Sequence, residues 1–188
     1  TDILEAIDLA LHELATKNKA PLIFYKDMNA SISESLQPLL QKGYSRIESY
    51  PNTILNINFL TFEEYLKTLS SSSREGIKRN FKRIDSRVKF DLKETSSLNA
   101  IELDEVYDLY LQTYNSHELG FEKLPKDFFI NIALFMPNEV KFFLWRVDNK
   151  LVTFALCLKK GDYFIDYYLG FDYKVSIVYY LYCVRFRD

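Results

Sequence analysis

The chain has 188 residues, 48% of them apolar and 16% aromatic, which is enough for the core of one ordinary domain or two small ones and argues against disorder. Its formal net charge of −2 excludes a global nucleic-acid-binding signature, so any polyanion site must be local. No apolar run approaches the roughly 18–20 residues of a membrane span, and the acidic start (Thr1, Asp2, Glu5) lacks a signal-peptide layout.

Asp2 and Glu5 fit a capping pair, and Ile3, Ile7, Ala10, Leu11 and Leu14 then recur at helical spacing. Residues 22–25 are a short apolar run after Pro21, which predicts a buried strand. Ser31 and Glu34 predict another cap, with Leu36, Leu39 and Leu40 on the helix, Pro38 bending it and Gly43 ending it. Residues 44–48 and 53–58 read as strands around Pro51-Asn52. This first stretch therefore reads helix, strand, helix, strand, strand.

A different region follows. Thr61 and Glu64 form a capping box, with Leu60 and Tyr65 placed for a hydrophobic staple. Ser70–73 breaks that helix and is the best linker candidate in the chain; Ser72 with Glu75 caps a new, strongly basic helix. Residues 88–93 predict a strand, and Leu103, Val106, Tyr107, Tyr110 and Tyr114 form one helical stripe. Pro125 opens a helix carrying Phe128, Phe129, Ile132 and Phe135. Three strands follow at 140–147, 151–159 and 163–169, separated by the polar turns Asp148-Asn149-Lys150 and Gly161-Asp162. A loop at 170–176 then opens a helix with Ile177, Tyr180, Leu181 and Val184 on one side.

Cys157 and Cys183 fall in apolar patterns without a CxxC or a nearby His. They read as reduced, buried thiols in a cytoplasmic setting, and no metal site is expected. His12 and His117 have no visible nucleophile or acid partner, which removes a Ser/His/Asp hydrolase.

Three stretches carry a family likeness: residues 60–70 with the basic run 74–83, residues 106–110 through Phe128-Phe129, and residues 145–172, where strand, turn, strand, turn and strand end in Gly170-Phe-Asp. They resemble the GNAT N-acetyltransferase superfamily, and more closely its tandem Fem-like branch. Relatives in that branch transfer acyl or aminoacyl groups to amines, some of them in peptidoglycan synthesis. The resemblance implies an α/β, GNAT-like mixed sheet with an antiparallel meander flanked by helices, here truncated or permuted. Residues 1–59 then read as the closing half of one unit, 60–87 as linker helices, and 88–188 as the opening half of another. Alternatively the two halves complete one domain within the chain or across a homodimer.

The resemblance implies a donor site at the loop, with Gly170, Phe171, Tyr173, Lys174, Val175 and Ser176 lying before a helix N-terminus that would favour phosphate. The loop has one glycine where the superfamily loop is glycine-rich, and Asp172 opposes a polyanion. Acyl-CoA and aminoacyl-tRNA both stand as co-substrates, with an amine as acceptor. Asp166, within an apolar strand, is a candidate general base whose pKa burial would raise, and Tyr168 a candidate acid for the leaving group. Arg74, Lys78, Lys82 and Arg79, Arg83, Arg87 form two adjacent i,i+4 rows suited to RNA or an anionic surface. Each of these residues also has an ordinary alternative, as core or as solvated surface. Two functional classes follow: an N-acyltransferase, or a non-catalytic module that binds a polyanion through the 74–87 helix.

Overall fold

The computed structural model describes residues 3–26, 28–48, 53–86, 88–116 and 123–175. The chain divides into two compact units, Thr1–Asn56 and Ile57–Asp188.

The N-terminal unit holds helix α1 (Ile3–Asn18), two 3-10 turns at Ala30–Ile32 and Glu34–Leu36, and the short helix α2 (Gln37–Gln41). Asn29 caps the first turn by accepting from the Ser31 N–H at 2.9 Å. Pro38 sits in the first turn of α2, where its missing N–H costs nothing. Gly43 ends that helix with φ +95°, a conformation side chains disfavour.

The strands expected at 22–25, 44–48 and 53–58 are not formed: among the described residues of this unit, no segment is paired in a ladder. Alternation gives strand propensity, but a strand requires a neighbour to take up its N–H and C=O groups. These runs instead leave apolar side chains in solvent, with Leu22 61%, Ile47 79% and Ile54 74% exposed. The stripe on α1 is likewise open, since Ile3, Ile7 and Leu14 are exposed, and the buried residue on that helix is Asp8.

The C-terminal unit opens with α3 (Phe62–Thr68) and α4 (Ser71–Asp85). Thr61 accepts from the Glu64 N–H at 3.2 Å, and the Glu64 carboxylate accepts from the Leu60 N–H at 2.8 Å. The staple differs from expectation: Leu60 is 96% exposed, and Phe59 packs on Tyr65 instead, ring centroids 5.1 Å apart. The cap of α4 is Ser70, accepting from the Ser73 N–H at 3.2 Å, so Ser71–73 form its first turn and not a linker.

The rest is an open four-stranded antiparallel sheet flanked by helices. Its order is β1 (Asp91–Thr95), β2 (Val140–Val147), β3 (Lys150–Lys160), β4 (Tyr163–Phe171). Helices α5 (Ala100–Ser116) and α6 (Asp127–Phe135) lie between β1 and β2 in the chain. Asp148 and Asn149 both take positive φ, at 48° and 63°, the twist a tight two-residue hairpin demands. Asn99 and Glu102 cap α5 reciprocally, at 2.9 and 3.2 Å. Burial of Glu102 pushes its pKa up, but the Lys93 ammonium and the Asn99 N–H outweigh burial and hold it below the ordinary range.

One sheet face packs Val140, Phe142, Leu144, Phe154 and Leu156 against Val106, Tyr110 and Phe129 of α5 and α6. The other packs Trp145, Ala155 and Cys157 against Phe81 and Ile84 of α4. Trp145 is 2% exposed, and its indole N–H has no acceptor among the described residues. Cys157 is buried and is not part of a disulfide; Cys183 lies outside the described residues.

Helix α5 and strand β4 approach backbone to backbone at Gly170. A Cβ there would stand 2.8 Å from the Leu109 carbonyl carbon and 2.3 Å from a ring carbon of Phe154. Gly76 on α4 has nothing within 4 Å of the same added atom. Gly170→Ala should therefore cost about 1–3 kcal/mol through overpacking. Gly76→Ala should instead stabilise, by up to about 1 kcal/mol, through helix propensity. Urea unfolding followed by far-UV circular dichroism tests the opposed signs.

Candidate functional site

The register of β3 on β4 shifts between Leu156 and Cys157: Leu156 pairs with Tyr168, Cys157 with Asp166, and Tyr167 is the extra residue of a bulge. Residues two apart on a regular strand share a face. The bulge breaks that rule here. Tyr168 shares the Leu156 face, where its ring packs edge-on against Tyr110 and Phe128 at 6.1 and 5.7 Å. Asp166 shares the Cys157 face, which carries α4. The two candidate catalytic side chains thus lie on opposite faces of β4. Asp166 is also exposed, so the burial on which its candidacy as a base rested is absent. Tyr168 is half-buried.

The loop expected to hold phosphate is closed by internal bonds. The Phe171 N–H donates to Thr113 Oγ1 at 3.2 Å and the Tyr173 N–H to Gln112 Oε1 at 3.4 Å, both on α5. The Asp172 N–H donates to the Val152 carbonyl at 2.9 Å and the Val175 N–H to the Asp172 carbonyl at 3.0 Å. The Lys174 N–H donates to Asp172 Oδ1 at 3.0 Å. Phe171 is fully buried and Gly170 is a packing contact, so neither faces a ligand. Lys174 is exposed, and Ser176 with the helix beyond it lies outside the described residues. A pyrophosphate needs several free donors. The N–H groups of 171–175 are all committed, so these five residues offer a CoA pyrophosphate no free backbone donor.

Beside the loop is a small cleft of about 160 Å³ lined by Glu105, Asp108 and Gln112 of α5 with Lys150, Asp172 and Lys174. Arg146 holds Glu105 through its two terminal guanidinium nitrogens, and this carboxylate raises the Arg146 pKa further. Lys150 Nζ sits 2.5 Å from Asp172 Oδ2. Sequence reasoning did not place Glu105, Arg146 or Lys150 here. The available signal was the polar set at 105, 108 and 112 opposite the apolar stripe of α5.

On α4, Lys78, Arg79, Lys82 and Arg83 are exposed, while Arg74 is half-exposed and reaches Ser71 Oγ at 3.4 Å. The opposite side of the helix supplies Phe81 and Ile84 to the core, which fixes the basic face outward. Arg87 lies outside the described residues.

A family model described as FemAB-like, peptidoglycan biosynthesis/recognition, matches residues 11–185. The chain belongs to the FemAB-like family. With that membership comes a family-level similarity to Fem-like, GNAT-related acyltransferases. No curated protein matches the chain. Among the described residues of this FemAB-like chain, no helix is long and apolar enough to cross a membrane, and no group of three or more His, Cys, Asp or Glu is placed to hold a metal ion.

The N-terminal unit of this FemAB-like chain contains a cluster that its sequence did not disclose. The buried carboxylate of Asp8 accepts from Tyr44 Oη at 2.7 Å, Lys42 Nζ at 2.9 Å and Tyr25 Oη at 3.1 Å. His12, expected to be isolated, has its Nε2 3.1 Å from Tyr44 Oη and 3.8 Å from Asp8. Since the Tyr44 proton is committed to Asp8, the His12 Nε2–H must donate to the phenol oxygen. The bonds from Lys42 and Tyr44 overcome burial and hold the Asp8 pKa down to about 2. Burial and the Asp8 carboxylate push the Tyr44 phenol up to about 12. A depressed carboxylate pKa stabilises the fold above the unfolded value, near pH 4, and that stabilisation is lost as pH falls toward the folded value. The carbon-13 carboxyl resonance of Asp8 should titrate with a midpoint of about 2. A midpoint at the ordinary carboxylate value would show that the cluster does not form.

Proposed function

We propose that this chain takes part in N-acyl transfer, moving an acyl or aminoacyl group from an activated ester or thioester to an amine. Family membership across residues 11–185 carries this reading. In the reaction the amine nitrogen forms a bond to the acyl carbon, the bond to the leaving oxygen or sulfur breaks, and the amine's proton is returned to the leaving group. β4 is an outer strand of the described sheet, with Asp166 on one face and Tyr168 on the other. A substrate lying along that edge meets both side chains: Asp166 takes the proton from the attacking amine, the Tyr168 phenol protonates the leaving group, and proton exchange with solvent resets each residue on its own face. An amide-rich donor or acceptor suits a strand edge, which offers backbone groups in ladder register. The two-unit reading belongs to the same proposal, with residues 1–59 closing one GNAT-like unit and 88–188 opening another.

The test incubates the purified chain with aminoacyl-tRNA or acyl-CoA and a lysine-containing stem peptide, and reads the N-acylated product by mass spectrometry. Product should form, and Tyr168→Phe should lower its rate by about 10²-fold or more, the usual size of a general-acid effect. Product formation unaffected by Tyr168→Phe would remove Tyr168 from the chemistry.

A second reading is favoured by one observation, the outward basic face of α4. In it the chain binds RNA or an anionic surface, with or without catalysis. Replacing Lys78, Arg79, Lys82 and Arg83 with Gln should abolish retention on RNA or anionic vesicles. It should also flatten the salt dependence by about 0.7–0.9 units of log–log slope for each phosphate that the variant no longer neutralises. Unchanged retention would leave that face as solvated surface.

A further inference from the structure

We propose that the carboxylate of Asp172 is a built-in occupant of the seat a phosphate would need at the β4 turn, and that it excludes CoA-type polyphosphate donors from that turn. The proposal rests on the acyl-transfer reading for the interest of the donor, but its test reads binding and not transfer, so either can fail alone.

The donors a bound phosphate would use are present and already face an anion. Lys150 Nζ lies 2.5 Å from one carboxylate oxygen and the Lys174 N–H 3.0 Å from the other. That carboxylate belongs to the chain itself and is buried, with Asp172 only 3% exposed. Only a side-chain rotation that breaks both of these bonds would move it, because the residue's backbone is pinned. Its own N–H is fastened to the Val152 carbonyl at 2.9 Å, and its carbonyl accepts from the Val175 N–H at 3.0 Å. The neighbouring N–H groups of Phe171 and Tyr173 are taken by Thr113 and Gln112. A ligand phosphate would have to displace a carboxylate from two donors and leave it buried beside the incoming charge, where repulsion in a low-dielectric site is strong.

The surroundings point the same way. Glu105 and Asp108 line the cleft next to this turn; Arg146 neutralises Glu105, which leaves the Asp108 and Asp172 carboxylates beside Lys150 and Lys174 and no net positive charge for a phosphate. The acyl donor therefore reaches β4 without a phosphate anchor at the turn.

Removing the internal charge should open the seat. Asp172→Asn keeps the shape and an oxygen for the Lys174 N–H while freeing the Lys150 ammonium; Asp172→Ser also vacates volume. Calorimetry with CoA and with inorganic pyrophosphate should give no saturable heat for the wild-type chain at millimolar ligand. Either variant should bind at least tenfold more tightly, with affinity falling as salt rises. Adding Lys150→Gln to either variant should cancel the gain. Stoichiometric CoA binding by the wild-type chain would overturn the proposal. So would a variant that retains the wild-type circular dichroism and melting temperature yet gains nothing. If both variants unfold, the wild-type Lys174 amide resonance decides: unmoved by CoA it upholds the proposal, and a saturable shift refutes it.

Discussion

The close approach of α5 to β4 at Gly170 is the constraint on which the C-terminal unit depends. With no Cβ between them, the helix backbone at Leu109 rests directly on the strand. One turn further along α5, Gln112 and Thr113 come within reach of the loop after β4 and bond to its N–H groups. The same contact places Glu105 and Asp108 beside that loop. A packing decision at one glycine thus consumes the loop's donors and sets the charge of its surroundings. The chemistry of the turn follows from how tightly two elements are stacked.

The meander was legible because each of its strands is a long apolar run ended by a polar turn, and antiparallel neighbours joined by tight turns leave little topological choice. Helix α5 was legible through its stripe, since Val106 and Tyr110 do face the core. The bulge at Tyr167 was not legible. Tyr-Phe-Ile-Asp-Tyr-Tyr-Leu consists almost wholly of residues that suit either face of a strand, so nothing in it marks where alternation slips. That slip separates Asp166 from Tyr168. Ser70 could not be told from its neighbours as a cap because any serine of the run can accept the same bond. In the N-terminal unit, propensity was legible but pairing was not. The Asp8 cluster joins residues 17, 34 and 36 positions apart, and no local pattern signals such contacts.

The two units hold themselves together by different means. The C-terminal unit is built on fully buried aromatic side chains such as Phe129, Phe142 and Phe154, each contributing on the order of 2–3 kcal/mol by burial. The N-terminal unit leaves much of its apolar surface open and is tied by one carboxylate with three donors. A polar tie of this kind is directional. It fixes which points on the extended segments touch α1 without requiring those segments to bury a face. FemAB-like membership spans both units, from residue 11 to 185.

Trp145 carries a practical consequence. It is the one tryptophan in the chain, and it lies 2% exposed beneath α4 in the C-terminal unit. Its indole N–H meets no acceptor among the described residues, so the ring is in an apolar setting where emission is blue-shifted. Fluorescence excited at long wavelength therefore reports the seating of α4 on the sheet, within the unit that carries the tryptophan.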